Sequence, residues 1–455
     1  MRVKIRRRRA TPRGEANPPS PFRLRRQAAV SGVAPPRRIA VDTPSSSLLG
    51  SSGLALATRL TRGFGTGSKM PQPHILIVVG TRPNFMKAAP LLRALEATRR
   101  VKLTLVHTGQ HYDPELSDWF LRDLNLPRPA VNLKVGSGSH AQQTALILKR
   151  FEPALLRLRP DLVVVVGDVN STAACALGCW KLIYPKGTPA DPSRSRPLLA
   201  HVEAGLRSFD RSMPEEANRV ITDHLSDFLF APSPDAVTHL RQEGIPPKRI
   251  FFVGNIMIDS LKGTLDKARH SRILEHLHVS PRGYALVTLH RPSNVDELET
   301  ARGIVESLRW LARRLPVVFP MHPRTRRAWR RHGLLSRLIS EKGMILTAPF
   351  GYLDQVKLMS AARMVLTDSG GIQEETTFLR IPCLTLRTTT ERPITITHGT
   401  NRLVGVTPER IIRSCGEILD GQTPRGGPPP RWDGHTADRI VRLLLKQLAS
   451  KQSRR

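Results

Sequence analysis

From Met70 onward, short apolar runs of strand length alternate with stretches of helical spacing, and no other feature of the sequence constrains the fold as tightly. That alternation builds a parallel sheet with crossover helices. Strands are expected at His74–Val79, Lys102–Thr108, Leu162–Val166, Leu198–Val202, Phe228–Ala231 and Ile250–Val253, with helices between them such as Phe85–Ala97 and Gln142–Leu158. A polar stretch, Asp266–His276, precedes a second alternation. Its strands are Ala285–Leu289, Val317–Pro320, Gly343–Leu346, Met364–Thr367 and Cys383–Leu386, with helices near Glu297–Arg314, Leu353–Ser360 and Gly371–Leu379. The expected organisation is α/β: one doubly wound domain over residues 70–265, a second over 266–430, and a C-terminal helix and tail over 431–455. Two open sheets in tandem set the strand C-termini of both around one inter-domain cleft, where such sheets bind ligands.

Composition narrows the function classes. No run of 18 apolar residues exists to span a membrane. Four cysteines (Cys175, Cys179, Cys383, Cys415) lack CxxC pairing or histidine at metal spacing and read as reduced core thiols of a cytoplasmic protein. The formal charge of +34 is uneven: residues 1–69 hold fifteen Lys/Arg against two acids. With RRRR at Arg6–Arg9, two Pro-Pro pairs and a Ser/Gly stretch, that leader cannot bury enough surface to fold and is expected to be disordered. A transit peptide, a basic nucleic-acid arm and a start codon set too far upstream of Met70 all fit it. The rest of the excess suits an anionic substrate or simple drift toward arginine. No RNP, KH or zinc-finger signature accompanies it, so no nucleic-acid partner is expected.

The first strand ends in Gly80-Thr81-Arg82-Pro83-Asn84 and runs into a helix carrying Lys87. A glycine turn into a helix offers backbone N–H groups and the positive helix end to an anion, and Arg82 and Lys87 add charge there. The absence of GxxxxGK[ST] rules out a nucleotide-hydrolysing P-loop. In the second half, Asp368-Ser369-Gly370-Gly371 repeats the strand-to-helix turn, and a glutamate one turn into that helix suits the two hydroxyls of a ribose. Two such turns facing one cleft suggest a bridging nucleoside diphosphate. Carboxylates follow strands of the first half: Asp168, Glu203, and Glu215-Glu216 in the loop opening the Ala217–Asp223 helix. Each alone serves equally well as a helix cap; three together suit a site needing an acid and a base. His290 and His322 end second-half strands, and either could bond a diphosphate; His111 and His201 are similarly placed in the first half.

Together, GTRPNFMKAAPL (Gly80–Leu91), TGQHYD (Thr108–Asp113), VVGDVNST (Val165–Thr172), HVEAGLRS (His201–Ser208), MPEEANR (Met213–Arg219), VGNIMID (Val253–Asp259), DSGGIQEE (Asp368–Glu375) and TTERP (Thr389–Pro393) resemble, in family order, the non-hydrolysing UDP-N-acetylglucosamine 2-epimerases. The resemblance implies two Rossmann-like domains in a glycosyltransferase-B-like arrangement, a UDP-sugar substrate, a homodimer, and no metal or nicotinamide cofactor. It implies anti elimination of UDP to a 2-acetamidoglucal and re-addition with carbon 2 inverted. By the same resemblance Asp168, Glu203 and Glu215 are the catalytic carboxylates; Arg82, Lys87 and His290 hold the diphosphate; Ser369 and Gly370, beside Gly371, contact phosphate; Glu375 contacts the ribose; and Arg392 is a further cleft residue.

The chain departs from the family pattern in places. LHRPSN stands where many members read GHRRE, which puts the allosteric substrate site of some relatives in doubt, and GTRPN replaces GTRPE, a change that would fit a modified sugar. The rival readings are epimerisation of a 2,3-diacetamido uronate nucleotide, a hydrolysing relative, and a glycosyltransferase of the same fold.

Overall fold

The computed structural model describes residues 72–110 and 126–450. The leader expected over residues 1–69 and the His111–Asp113 end of the TGQHYD block lie outside them.

The first sheet holds β1 (His74–Val79), β2 (Lys102–His107), β3 (Val131–Asn132), β4 (Leu162–Val166), β5 (Leu198–Val202), β6 (Phe228–Ala231) and β7 (Ile250–Phe252). Their spatial order is β3-β2-β1-β4-β5-β6-β7, all parallel. The second holds β8 (Ala285–Thr288), β9 (Val317–Pro320), β10 (Met344–Thr347), β11 (Met364–Thr367), β12 (Cys383–Thr385) and β13 (Asn401–Leu403), in the order β10-β9-β8-β11-β12-β13, again parallel. The edge strands β3 and β13 were not anticipated, being too short to show a period. The central strands read as unbroken apolar runs because both of their faces are covered. Ile75, Ile77 and Val79 of β1 join Leu162, Val164 and Val166 of β4 in one core, while Leu76, Val78, Val163 and Val165 build the core on the opposite face.

Helix Arg82–Thr98 contains Pro90, which has no N–H for the carbonyl of Met86. The hydroxyl of Ser260 donates to that carbonyl instead, docking helix Ile256–Arg269 against it. Helix Ile256–Arg269 also packs on Tyr352–Ala361 and Gly370–Leu379 of the second half. The expected boundary at residue 265 therefore falls inside a helix, and Asp266–His276 is its last turn followed by a short helix, Ile273–His276. The C-terminal helix Thr436–Ser450 returns to the first sheet, with Ala437, Ile440, Leu444 and Leu448 in the core of β1. Asp259 fixes its start by accepting from the amides of Thr436 and Ala437 at 3.1 and 2.7 Å. All four cysteines are buried and unpaired, and no helix among the described residues is long and apolar enough to cross a membrane.

Candidate active site in the gap between the sheets

Each sheet reverses its strand order once, between β1 and β4 and between β8 and β11. A crevice opens outside the strand C-termini at such a switch point. Gly80–Lys87 follows β1, Gly167-Asp168 follows β4, His290 lies two residues beyond β8, and Asp368–Glu375 follows β11. The fold thus assembles motifs lying far apart in the sequence.

The first turn is not the open amide cradle expected of it. Asn84 Oδ1 accepts from the amides of Gly80 and Thr81 at 3.0 and 3.1 Å, and its Nδ2 donates to Val166 O at 2.9 Å. Those N–H groups are already satisfied, so the anion-binding capacity of this turn rests on its cations. Asn84 is buried against backbone, which also removes the reason to link it to a modified sugar. Arg82 lies at the exposed start of the helix, within electrostatic reach of Glu375.

Lys87 is buried one turn further on, and its Nζ lies 2.5 Å from Glu203 Oε2. Gly167 makes room for it: a Cβ there would stand 2.9 Å from that nitrogen. From the second half, Arg392 Nη2 reaches the same Glu203 oxygen at 3.6 Å. Glu203 itself has φ +76°, a left-handed conformation that costs a non-glycine residue strain and concentrates at functional sites.

Asp168 pairs with Arg219 Nη2 at 2.7 Å. Burial alone would raise its carboxyl, but Arg219, Lys87 and Arg392 outweigh that and hold it below the usual carboxylate range. Glu215 and Glu216 lie in the first turn of helix Pro214–Leu225 rather than in a loop before it. They divide in role: Glu216 is buried, accepting from Ser208 N (3.0 Å), Ser208 Oγ (2.9 Å) and Phe209 N (2.9 Å) and pairing with Arg219 at 2.5 Å, whereas Glu215 is half-buried. His201 is no site group; its ring nitrogens face Asp223 at 2.7 Å and Gly167 O at 2.8 Å inside the core.

Across the gap, Asp368 ties β8 to β11. It accepts from the amides of His290 and Arg291 at 3.0 and 2.9 Å, and His290 Nδ1 lies 3.1 Å away. The His290 ring is thereby aimed while remaining about half exposed, and His322 stands beside it with ring centroids 5.9 Å apart. Ser369 precedes helix Gly370–Leu379, and its amide is taken by Thr367 Oγ1 at 3.0 Å. Gly371 faces open space, whereas a Cβ on Gly370 would meet Glu391 Oε1 at 2.5 Å. Glu375 is buried, accepts from the Tyr352 hydroxyl at 2.7 Å, and is pushed up to about 7 by burial. Glu374 is also buried and raised by burial, with Arg392 as its ion-pair partner.

Sequence reasoning did not single out Arg219, Arg291, Glu374, Arg387 or Glu391. Glu391 sits among four guanidinium groups, those of Arg392, Arg387, Arg219 and Arg291, which hold its carboxyl far down against the opposing effect of burial. Arg219, Glu374 and Glu391 had only membership of the MPEEANR, DSGGIQEE and TTERP blocks as a sequence signal, Arg291 its place beside His290 in LHRPSN, and Arg387 none, because charge on a strand-end loop does not reveal burial. Within this cluster Glu374 Oε1 pairs with Arg392 Nε and Arg387 Nη1 with Glu391 Oε2 at 2.8 Å, while Glu203 Oε1, Glu374 Oε2 and Arg392 Nη1 are buried without a hydrogen-bond partner. Buried polar atoms are ordinarily satisfied, so such a concentration marks a place built to receive polar groups from outside the chain. Among the described residues, no group of three or more His, Cys, Asp or Glu is placed to hold a metal ion.

The chain is similar to known proteins over most of its length. The family profile described as UDP-N-acetylglucosamine 2-epimerase matches residues 93–445. The UDP-N-acetylglucosamine 2-epimerase of Methanocaldococcus jannaschii is 41% identical over 373 residues, covering 81% of this chain and 98% of that protein. Its crystal structure in complex with UDP-GlcNAc and UDP superposes with a TM-score of 0.74 over 82% of this chain and 99% of that one, at 40% identity. A UDP-2,3-diacetamido-2,3-dideoxy-D-glucuronate 2-epimerase from Pseudomonas aeruginosa is 37% identical over 375 residues, 82% of this chain and 99% of that one.

Proposed function

Because the chain belongs to the UDP-N-acetylglucosamine 2-epimerase family, we propose that it interconverts UDP-N-acetylglucosamine and UDP-N-acetylmannosamine in the gap between its two sheets. The observation that carries this reading is the buried cluster of carboxylates and cations at the two facing switch points, in which Glu203 Oε1, Glu374 Oε2 and Arg392 Nη1 have no hydrogen-bond partner. Acids and cations meet there at close range, as a reaction that moves a proton and releases a diphosphate requires.

The hydrogen on carbon 2 of the sugar is not acidic, so its removal must accompany departure of UDP from carbon 1. Glu203 Oε1, buried and without a hydrogen-bond partner, is suited to take that proton, while Oε2 stays tied to Lys87. The C2–H electron pair becomes the carbon–carbon double bond of a 2-acetamidoglucal, and the C1–O pair leaves with UDP. Asp168, held ionised by its arginine and lysine neighbours, stabilises positive charge developing at carbon 1. Arg82, Lys87, His290 and the amides of Gly370 and Gly371 receive the charge on the diphosphate. Re-addition runs the steps backward with a proton delivered to the other face of carbon 2, a task we assign to Glu215 at the head of helix Pro214–Leu225. Ser369 flanks the phosphate, Glu375 accepts the ribose hydroxyls, and Arg392 completes the wall of the gap. The intermediate must stay bound between steps, which calls for closure of the two halves. A homodimer working in the cytoplasm, without metal or nicotinamide, belongs to the same proposal; sedimentation at micromolar concentration tests the assembly.

Incubation with UDP-N-acetylglucosamine in D₂O tests the reaction. The expected product is an equilibrium mixture of the two UDP sugars with deuterium at carbon 2. Accumulation of free N-acetylmannosamine with UDP would indicate a hydrolase instead, and turnover confined to a diacetamido uronate nucleotide would move the specificity to that sugar.

A further inference from the structure

We propose that Glu374 is a positioning residue for this reaction: from the second half of the molecule it holds Arg392 so that the guanidinium reaches across the gap to Glu203. The inference rests on the function proposed above.

Glu374 and Glu375 are neighbours on helix Gly370–Leu379, where successive side chains point about 100° apart. The two buried carboxylates therefore serve different places. Glu375 turns to the Tyr352 hydroxyl and Arg82, on the nucleoside side. Glu374 turns to Arg392 Nε, and the far end of that guanidinium, Nη2, lies 3.6 Å from Glu203 Oε2. Lys87 holds the same oxygen at 2.5 Å from the first half. Glu203 Oε2 is thus fixed from both sides of the gap, and Oε1 is left for the substrate.

A purely structural residue would not be built this way. Glu374 is 1% exposed, with one carboxylate oxygen paired to Arg392 Nε and the other without a hydrogen-bond partner, so its burial costs stability that an apolar side chain of equal volume would not. Burial pushes its carboxyl up for the same reason. What the charge provides is a fixed direction for Arg392. The guanidinium is a rigid fork, so anchoring Nε orients Nη1 and Nη2 together. Without that anchor, Arg392 gains rotamer freedom and Glu203 loses its partner from across the gap.

The test is a double-mutant cycle on the full chain, with UDP-N-acetylglucosamine as substrate, using Glu374→Gln, Arg392→Gln and the double variant. Glu374→Gln should lower kcat roughly tenfold or more while KM changes by less than about threefold, since the loss falls on the reacting carboxylate rather than on nucleotide binding. In the Arg392→Gln background the same change should cost less than about twofold, because the residue through which Glu374 acts is gone. Independent, multiplying effects would overturn the proposal, as would wild-type kcat in either single variant. Should Glu374→Gln not fold, Glu374→Asp, which keeps the charge but shortens its reach, enters the same cycle with the same criteria. Failure of the wild-type chain to epimerise the substrate is a separate result, and it would sink the functional reading rather than this one.

Discussion

Gly167→Ala adds one methyl group and probes the site's geometry more sharply than removal of a charge. Gly167 has φ +68°, where an alanine costs about 1–2 kcal/mol. The new Cβ would lie 2.9 Å from Lys87 Nζ and 3.5 Å from Asn84 Nδ2. A lysine end usually swings aside at little cost, but this one is buried and pinned 2.5 Å from Glu203. Retreat by a few tenths of an ångström weakens that pair; outright loss of a buried pair costs about 3–5 kcal/mol, so a partial displacement adds about 1. The sum, about 2–3 kcal/mol, should lower Tm by several degrees in a thermal melt. Because the displaced ammonium orients Glu203, kcat should fall by about tenfold or more as well. Gly263→Ala is the control: that glycine is exposed on helix Ile256–Arg269, and an alanine methyl there would have nothing within 4 Å, so alanine should leave turnover intact and add about 0.5–1 kcal/mol. Unchanged kcat in Gly167→Ala, whatever the melt shows, would refute the claim that this glycine exists to seat Lys87 against Glu203.

Two further expectations separate chemistry from support. Glu216→Gln places an amide against four donors and should destabilise the fold by about 2–4 kcal/mol, whereas Glu215→Gln should leave the melt unchanged and lower turnover roughly 10²-fold; the opposite outcome would exchange their roles. Glu375, raised to about 7, carries a proton in much of the empty protein near neutrality, yet accepting ribose hydroxyls requires its ionised form. Affinity for UDP-N-acetylglucosamine should therefore rise with pH from about 5.5 and level off above about 7, with proton release measurable by calorimetry in buffers of differing ionisation enthalpy; pH-independent affinity would remove Glu375 from the ribose contact. The stability linkage has the other sign: the folded protein holds this proton more tightly than the unfolded chain, so the contribution is full below the ordinary 4.5 and is lost as pH rises through about 7.

The sequence by itself determined the central strands of both sheets and the place of the candidate site. Runs such as Leu162–Val166 are apolar on both faces, so they had to be central parallel strands, and the turns after them had to lie at strand C-termini. Asp168, Glu203, Lys87 and the Asp368–Glu375 turn were legible on that ground. Only the tertiary structure decided which charges are buried and whom they meet. Asn84 closes the first turn instead of leaving it open, Glu216 supports the loop that Glu215 merely adjoins, and Arg392 and Glu374 are joined to Glu203 from the other half of the chain. Local spacing carries apolar periodicity because each residue's burial follows from its own strand or helix. A buried ion pair depends on two segments brought together by the fold, and neither segment alone records its partner.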